Sequence, residues 1–371
     1  MSGVKAAGLV SAAGLSSRMG AFKPALDLCG KPLICRTVES LLDSGIEQVI
    51  VVTGRNAGQL KEMLDVYSKV KTVQNERFAD TSMYESVRLG LQQMEACDAV
   101  LFLPADIPAI RPESIRLLLE QWNMKKTDVL FPVYQNKRWH PPVIAGRLIP
   151  DLLLYSGEKG LRGALESLTS STEEMVVPDP GCTMDADYME EYQALCHYWP
   201  VRDIPDTEVC KTLYQLAETP EEVQKHCEAV KDKALELSNS LKEHGIYMNE
   251  ELLYAAACLH DVCRNRENHA EADSEFLRQY GFYRVADLIE IHMDWPEQRI
   301  IQIDEAAILY LADKLVSGNQ AVSLEQRFAE KIRQFADNPD VAEMIKKRQN
   351  VALEIQRQVE EICTQNAMHM E

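Results

Sequence analysis

The chain has 371 residues, 46% of them hydrophobic and 26% charged, with 58 acidic side chains against 39 basic ones and a formal net charge of −19. So acidic a balance disfavours nonspecific binding to nucleic acid or to an anionic membrane, both of which rest on cationic patches. The length exceeds one ordinary core and predicts two domains, while the absence of a signal-peptide core or a bilayer-length apolar run points to the cytoplasm.

Residues 1 to about 195 alternate short apolar runs with amphipathic stretches, which predicts an α/β fold: a Rossmann-like, mostly parallel sheet with flanking helices. The first run leads into Val10-Ser11-Ala12-Ala13-Gly14-Leu15-Ser16-Ser17-Arg18-Met19-Gly20-Ala21-Phe22-Lys23. Small residues let backbone N–H groups approach phosphate oxygens, and Arg18 and Lys23 match the charge that develops as pyrophosphate leaves. The glycine spacing fits neither a P-loop nor a dinucleotide fingerprint, so the chemistry implied is nucleotidyl transfer. Further along, Pro32 reads as a first-turn proline of a helix ending before Gly45, and Ser82 as the cap of a helix reaching Gln93. The runs 48–54 and 98–103 read as buried central strands. Asp106 follows the second of these, at the sheet end where a ligand binds, and is a candidate metal ligand beside the α-phosphate.

Two prolines and several charges mark 198–206 as a linker, after which the strand pattern stops and the chain reads as all-α. Thr219-Pro220-Glu221-Glu222 reads as a capping box, and Asn249 as the cap of an apolar helix through Leu259. The domains expected are 1–198, 207–337 and a C-terminal helical extension, 338–371, that is charged and poor in chemistry. His226, the pair His260-Asp261 and Asp313 mix imidazole and carboxylate as divalent metal sites do. The ten cysteines include no Cys-x-x-Cys pair and read as reduced thiols, not as a disulfide framework or a zinc ribbon.

The Gly/Ser loop resembles the signature of the MobA-like nucleotidyltransferases, with Ser11 where the family usually has Leu. The resemblance extends through Asp106-Ile107-Pro108, which matches the family's Mg²⁺-binding Asp-x-Pro. It continues through Asn75 to Phe78 and Met83 to Gly90, a region near the nucleotide that includes Ser86. His140-Pro141-Pro142-Val143 and Gly160-Leu161-Arg162-Gly163-Ala164 are similar to motifs of the molybdenum-cofactor cytidylyltransferases. Thr183 to Tyr188 resembles a shortened acidic motif, with Asp185 as a second metal contact. The resemblance implies Ala12, Ala13, Gly14, Ser16, Ser17, Arg18, Lys23 and Ser86 at the nucleotide, with Lys23, Arg18 and Asp106 catalytic. Ala13, where guanylyl-transferring members carry Gly, implies CTP.

In the helical half, Leu252 to Asp261 and the order His, His-Asp, Asp resemble the HD-domain phosphohydrolases. His269 and His292 fall where binuclear members place two more ligands, and Cys263-Arg264 replaces the usual Gly-Lys. The implied cofactor is a divalent metal such as Fe, Mn or Zn. Together the two resemblances imply a bifunctional enzyme: CTP-dependent, Mg²⁺-requiring nucleotidyl transfer to a phosphorylated acceptor, molybdopterin foremost, joined to a metal-dependent phosphohydrolase. Two other readings stay open. One is an accessory protein that binds nucleotide and cofactor for a molybdenum hydroxylase partner, with a regulatory HD domain; the other is a transferase acting on a phosphosugar or phospho-alcohol.

Overall fold

A computed structural model describes residues 3–14, 22–266, 269–335 and 337–365. The chain divides into two compact units, Met1–Arg202 and Asp203–Glu371.

The first unit contains β1 (Ala6–Ala12), α1 (Leu33–Asp43), β2 (Gln48–Thr53), α2 (Ala57–Leu64), β3 (Val70–Gln74), α3 (Met83–Leu91), β4 (Ala99–Pro104) and α4 (Pro112–Lys125). These are followed by β5 (Val129–Tyr134), β6 (Lys137–Arg138), β7 (Val143–Ala145), α5 (Ile149–Leu154), α6 (Gly160–Leu168), β8 (Thr172–Val176) and α7 (Met189–Tyr198). The sheet order is β3-β2-β1-β4-β7-β5-β6, with β8 on β5. Strands β1 to β4 are parallel, in the registers Val10↔Val51 and Val10↔Leu103. Val10, Val51 and Leu103 are fully buried, as expected of strands covered on both faces.

The sheet is mostly parallel, as expected, with β8 parallel to β5, and its far side adds antiparallel pairings. β7 runs antiparallel to both β4 and β5, and β6 is antiparallel to β5. Only Gln135 and Asn136 join β5 to β6, both with positive φ, of 49° and 60°. A two-residue connection can only reverse the chain, because a parallel partner needs a crossover of a dozen or more residues. The sheet is therefore mixed.

Helix α1 ends before Gly45, whose φ of +96° is the left-handed stop expected there, although Pro32 sits at the cap and not in the first turn. Ser82 precedes α3 without a side-chain capping bond. Trp199, read from sequence as linker, is 8% exposed and packs with Leu28, Leu33, Ala186 and Leu195, stacked by Arg36 and Arg202.

The second unit contains α8 (Thr207–Leu216), α9 (Glu221–Glu243), α10 (Glu250–Leu259), α11 (His269–Gln279), α12 (Tyr283–Glu290), α13 (Glu305–Lys314), the short ribbon β9 (Val316–Ser317) and β10 (Gln320–Ala321), α14 (Leu324–Gln334) and α15 (Pro339–Gln365). It is largely rather than wholly α. Helices α10 and α13 are buried almost all round, whereas α9 buries one stripe, Cys227, Val230, Ala234, Ser238 and Leu241. Asn249 caps α10 through Leu252 N–H. Thr219 does not form the expected box: its hydroxyl donates to Val262 O at 2.6 Å, and Pro220 takes the cap position. Among the described residues no helix is long and apolar enough to cross a membrane.

Candidate active site and metal centre

The carboxyl ends of β1 and β4 open into a cleft of about 450 Å³. Ala12, Ala13 and Gly14 line it from β1, Asp106 from the turn after β4, and Ser86 from α3. Ser86 is held by Asn75, whose side-chain amide donates to Ser86 Oγ and Thr81 Oγ1 at 3.0 Å each. Ser16, Ser17 and Arg18 lie outside the described residues.

Lys23 is the charged centre of the cleft. It is 8% exposed, and its ammonium donates to Asp187 Oδ1 at 2.5 Å and to Asp106 Oδ2 at 3.3 Å. Burial works against the charge, but the Asp187 hydrogen bond and the two carboxylates raise the Lys23 pKa, so the ammonium persists. Asp185 is exposed and does not line the cleft. Partial desolvation, with repulsion from Glu191, Asp106 and Asp187, pushes its carboxyl up.

Asp187 was not singled out from sequence. Residues 185 and 187 are both aspartates, and only packing distinguishes them: Ala186 is fully buried in the Leu28–Trp199 cluster. Upstream, Asp179 is also fully buried; it accepts from Arg111 N–H, Ser114 Oγ and Gly181 N–H, all within 3.0 Å. At Gly181 a Cβ would sit 2.1 Å from Ala109 O, so the approach of this segment to the sheet requires glycine.

In the helical unit His226, His260 and Asp261 present ligand atoms within 4.8 Å of one another. His226 comes from the second turn of α9, and His260 and Asp261 from the end of α10. Asp313 joins them from the end of α13, with Oδ1 3.2 Å from His226 Nε2 and 3.7 Å from His260 Nε2. His292, just past α12, places Nε2 3.6 Å from Asp261 Oδ1. The side chain of His269 lies outside the described residues.

Each of the three described imidazoles engages a main-chain carbonyl through Nδ1: His226 with Gly318, His260 with Ala257 and His292 with Ile289, at 2.7, 2.9 and 2.5 Å. A carbonyl only accepts, so Nδ1 carries the hydrogen and Nε2 is the ring nitrogen turned inward, where that of His226 also hydrogen-bonds Asp313 Oδ1 at 3.2 Å. The His260 Nε2 is buried with no hydrogen-bond partner among the described residues, as a metal ligand would be before the metal arrives. Three helix C-termini, of α10, α12 and α13, meet here and add negative potential. Burial alone would raise the Asp313 carboxyl, but Lys314, His226 and His260 hold it well below the usual range. At His260 burial opposes a charge, yet Cys227, Asp261 and Asp313 raise the imidazole pKa well above its ordinary value, so the field of the pocket draws positive charge. Two carboxylates and inward-facing imidazoles fit a divalent metal of borderline character.

A cleft at the carboxyl edge of an α/β sheet and a His/Asp centre in a helical unit define a nucleotidyltransferase module joined to a metal-binding hydrolase module. Residues 8–173 match the MobA-like NTP transferase domain family and residues 223–318 the HD domain family, so the chain joins a domain of each kind. It is 30% identical over 118 residues to the bifunctional protein GlmU of Sorangium cellulosum, covering 30% of this chain and 24% of that one. The chain thus spans about a quarter of the length of that relative. It is 27% identical over 139 residues to a Thermococcus sibiricus protein named "Probable molybdenum cofactor guanylyltransferase", covering 36% of this chain and 65% of that one. A solved nucleotidyl transferase from Methanothermobacter thermautotroptrophicus matches 53% of this chain and 98% of its own, at 23% identity and a TM-score of 0.46.

Proposed function

We propose that the chain is a bifunctional enzyme in which residues 1–198 transfer CMP from CTP to a phosphorylated acceptor, with molybdopterin as the acceptor, and residues 207–337 hydrolyse a phosphoester. The observation that carries the first activity is Lys23, buried and charged between Asp106 and Asp187 in the cleft. In the transfer an oxygen of the acceptor phosphate forms a bond to the α-phosphorus while the bond to the bridging oxygen of the β-phosphate breaks and pyrophosphate leaves. Lys23 neutralises the departing charge, and the small residues at 12–14 let main-chain N–H groups meet the phosphates. Asp106 and Asp187 offer the hard oxygen donors that Mg²⁺ prefers, and Mg²⁺ bound there would offset the triphosphate charge. Asp106 is at the position of the family's Asp-x-Pro ligand, and Asp187 replaces Asp185 as the second contact.

The Ala13 methyl is buried at the cleft wall and leaves less room beside the base, which supports the smaller pyrimidine. Pyrophosphate release measured with each nucleoside triphosphate tests this: CTP should be used at least tenfold better than GTP. Preference for GTP would move the reading to guanylyl transfer, the activity named for the Thermococcus sibiricus protein. Selective CTP binding without turnover on any phosphorylated acceptor would favour the accessory reading, delivery to a molybdenum hydroxylase.

For the second activity, the oxygen of a water molecule bonds to phosphorus as the ester P–O bond breaks, and the proton passes to the departing alkoxide. A divalent metal held by His226, His260, Asp261 and Asp313, with His292 beside it, would lower the pKa of that water.

A further inference from the structure

The HD family match ends at residue 318, yet α14 and α15 lie in the same compact unit. Ile345, Ala352, Ile355 and Val359 form a buried stripe at helical spacing on α15. Arg348 of the same helix donates to both oxygens of Asp294 at 2.7 Å. Between these helices and the metal centre is a narrow pocket of about 30 Å³, lined by Arg264, Lys314, Arg327, Lys331, Arg348 and the ligand candidate Asp313.

Five cations therefore face one carboxylate. Three have acidic partners: Lys314 bonds Asp313, Arg264 bonds Asp261 and Arg348 bonds Asp294. Arg327 and Lys331 stand one turn apart on α14, and Arg327 Nε is buried with no partner among the described residues. Burial, followed by Arg327, Lys314 and Arg348, lowers the Lys331 pKa to about 8. A like-charged pair four residues apart, partly desolvated, is unfavourable by itself and is relieved by an anion. The pocket is too small for a nucleoside and compact enough to suit one phosphoryl group.

We propose that α14 completes the HD site with a phosphoryl-binding subsite, in which Arg327 and Lys331 hold a phosphate group of the substrate or product beside Asp313. The inference rests on the phosphohydrolase reading of the second unit and places the anion-holding side chains outside the HD family match.

Calorimetric titration of inorganic phosphate into the full-length, metal-loaded chain tests it. Arg327→Gln and Lys331→Gln should each weaken phosphate binding about tenfold with the metal content unchanged by elemental analysis, and Lys331→Arg should restore binding. Unchanged phosphate affinity in both Gln variants, a Lys331→Arg variant as weak as Lys331→Gln, or no phosphate binding to the wild type would each overturn the subsite. Phosphate binding that depends on both residues in a protein that hydrolyses no phosphoester would keep the subsite and remove the phosphohydrolase reading. Hydrolysis by wild type with phosphate affinity indifferent to both residues would do the reverse.

Discussion

At the scale of single residues, Lys23 and Asp273 show how one buried ionisable group differs from another. Lys23 has two carboxylates within 3.3 Å, so its charge is kept and available to a leaving pyrophosphate. Lys23→Ala is expected to reduce pyrophosphate release by roughly 10²–10³, the usual cost of losing one transition-state contact, with the far-UV spectrum unchanged. Near wild-type turnover would remove Lys23 from the mechanism. Asp273 makes no ion pair among the described residues: it is fully buried, accepts from Cys263 N–H, and its Oδ2 has no hydrogen-bond partner there. Burial outweighs that hydrogen bond and pushes its carboxyl up to about 8. The folded state then holds a proton that the unfolded state releases above pH ~4, so Asp273 lowers stability progressively from about pH 4 to pH 8. Asp273→Asn should remove this loss, on the order of 3–5 kcal/mol for a shift of this size. Urea midpoints of variant and wild type should diverge between pH 5 and pH 8 in favour of the variant, and parallel profiles would refute the assignment.

At the scale of elements, helix ends carry the chemistry of the second unit. The chain makes α10 and α13 apolar nearly all round, which buries them, and places His260-Asp261 and Asp313 at their C-terminal ends, where main-chain carbonyls already favour a cation. Asp261→Ala removes a carboxylate that lies within 3.7 Å of His226, His260 and His292. The variant purified without chelator should have lost its Fe, Mn or Zn, while wild type retains a divalent metal by elemental analysis. Metal retained at the wild-type level would exclude Asp261 as a ligand. Caps were legible unevenly: Asn249 bonds its own helix, but Thr219 turns its hydroxyl to Val262, a partner 43 positions away that local sequence does not reveal. The hairpin at Gln135-Asn136 was missed for a similar reason, since neither residue is the glycine that usually marks a two-residue turn.

For the whole molecule, the net charge of −19 governs which large partners approach. The basic pocket beside Asp313 is narrow and recessed among helices, so its field reaches a small anion but offers no extended surface to a polyanion. The protein should neither co-sediment with anionic lipid vesicles nor retard duplex DNA at physiological salt. Salt-sensitive binding to either would show a cationic face that the overall charge conceals.

Sequence alone determined the order of the two modules and pointed to Lys23 and Asp106 in the cleft and to His226, His260, Asp261 and Asp313, which the structure gathers, because both signals are local. A Gly/Ser loop after an apolar run and a His-Asp pair closing an apolar helix need only short-range spacing to be read. The tertiary structure decided the choices between near-equivalent side chains. Asp187 rather than Asp185 reaches Lys23 because Ala186 is locked into the Leu28–Trp199 cluster. Which ring nitrogen of His226 faces the metal site depends on Gly318, 92 positions away. The stretch from residue 338 reads as charged and poor in chemistry because the partner of Arg348, Asp294, and the Asp313 pocket that it lines belong to other elements. Contacts between distant segments set these outcomes, and local spacing holds no record of them.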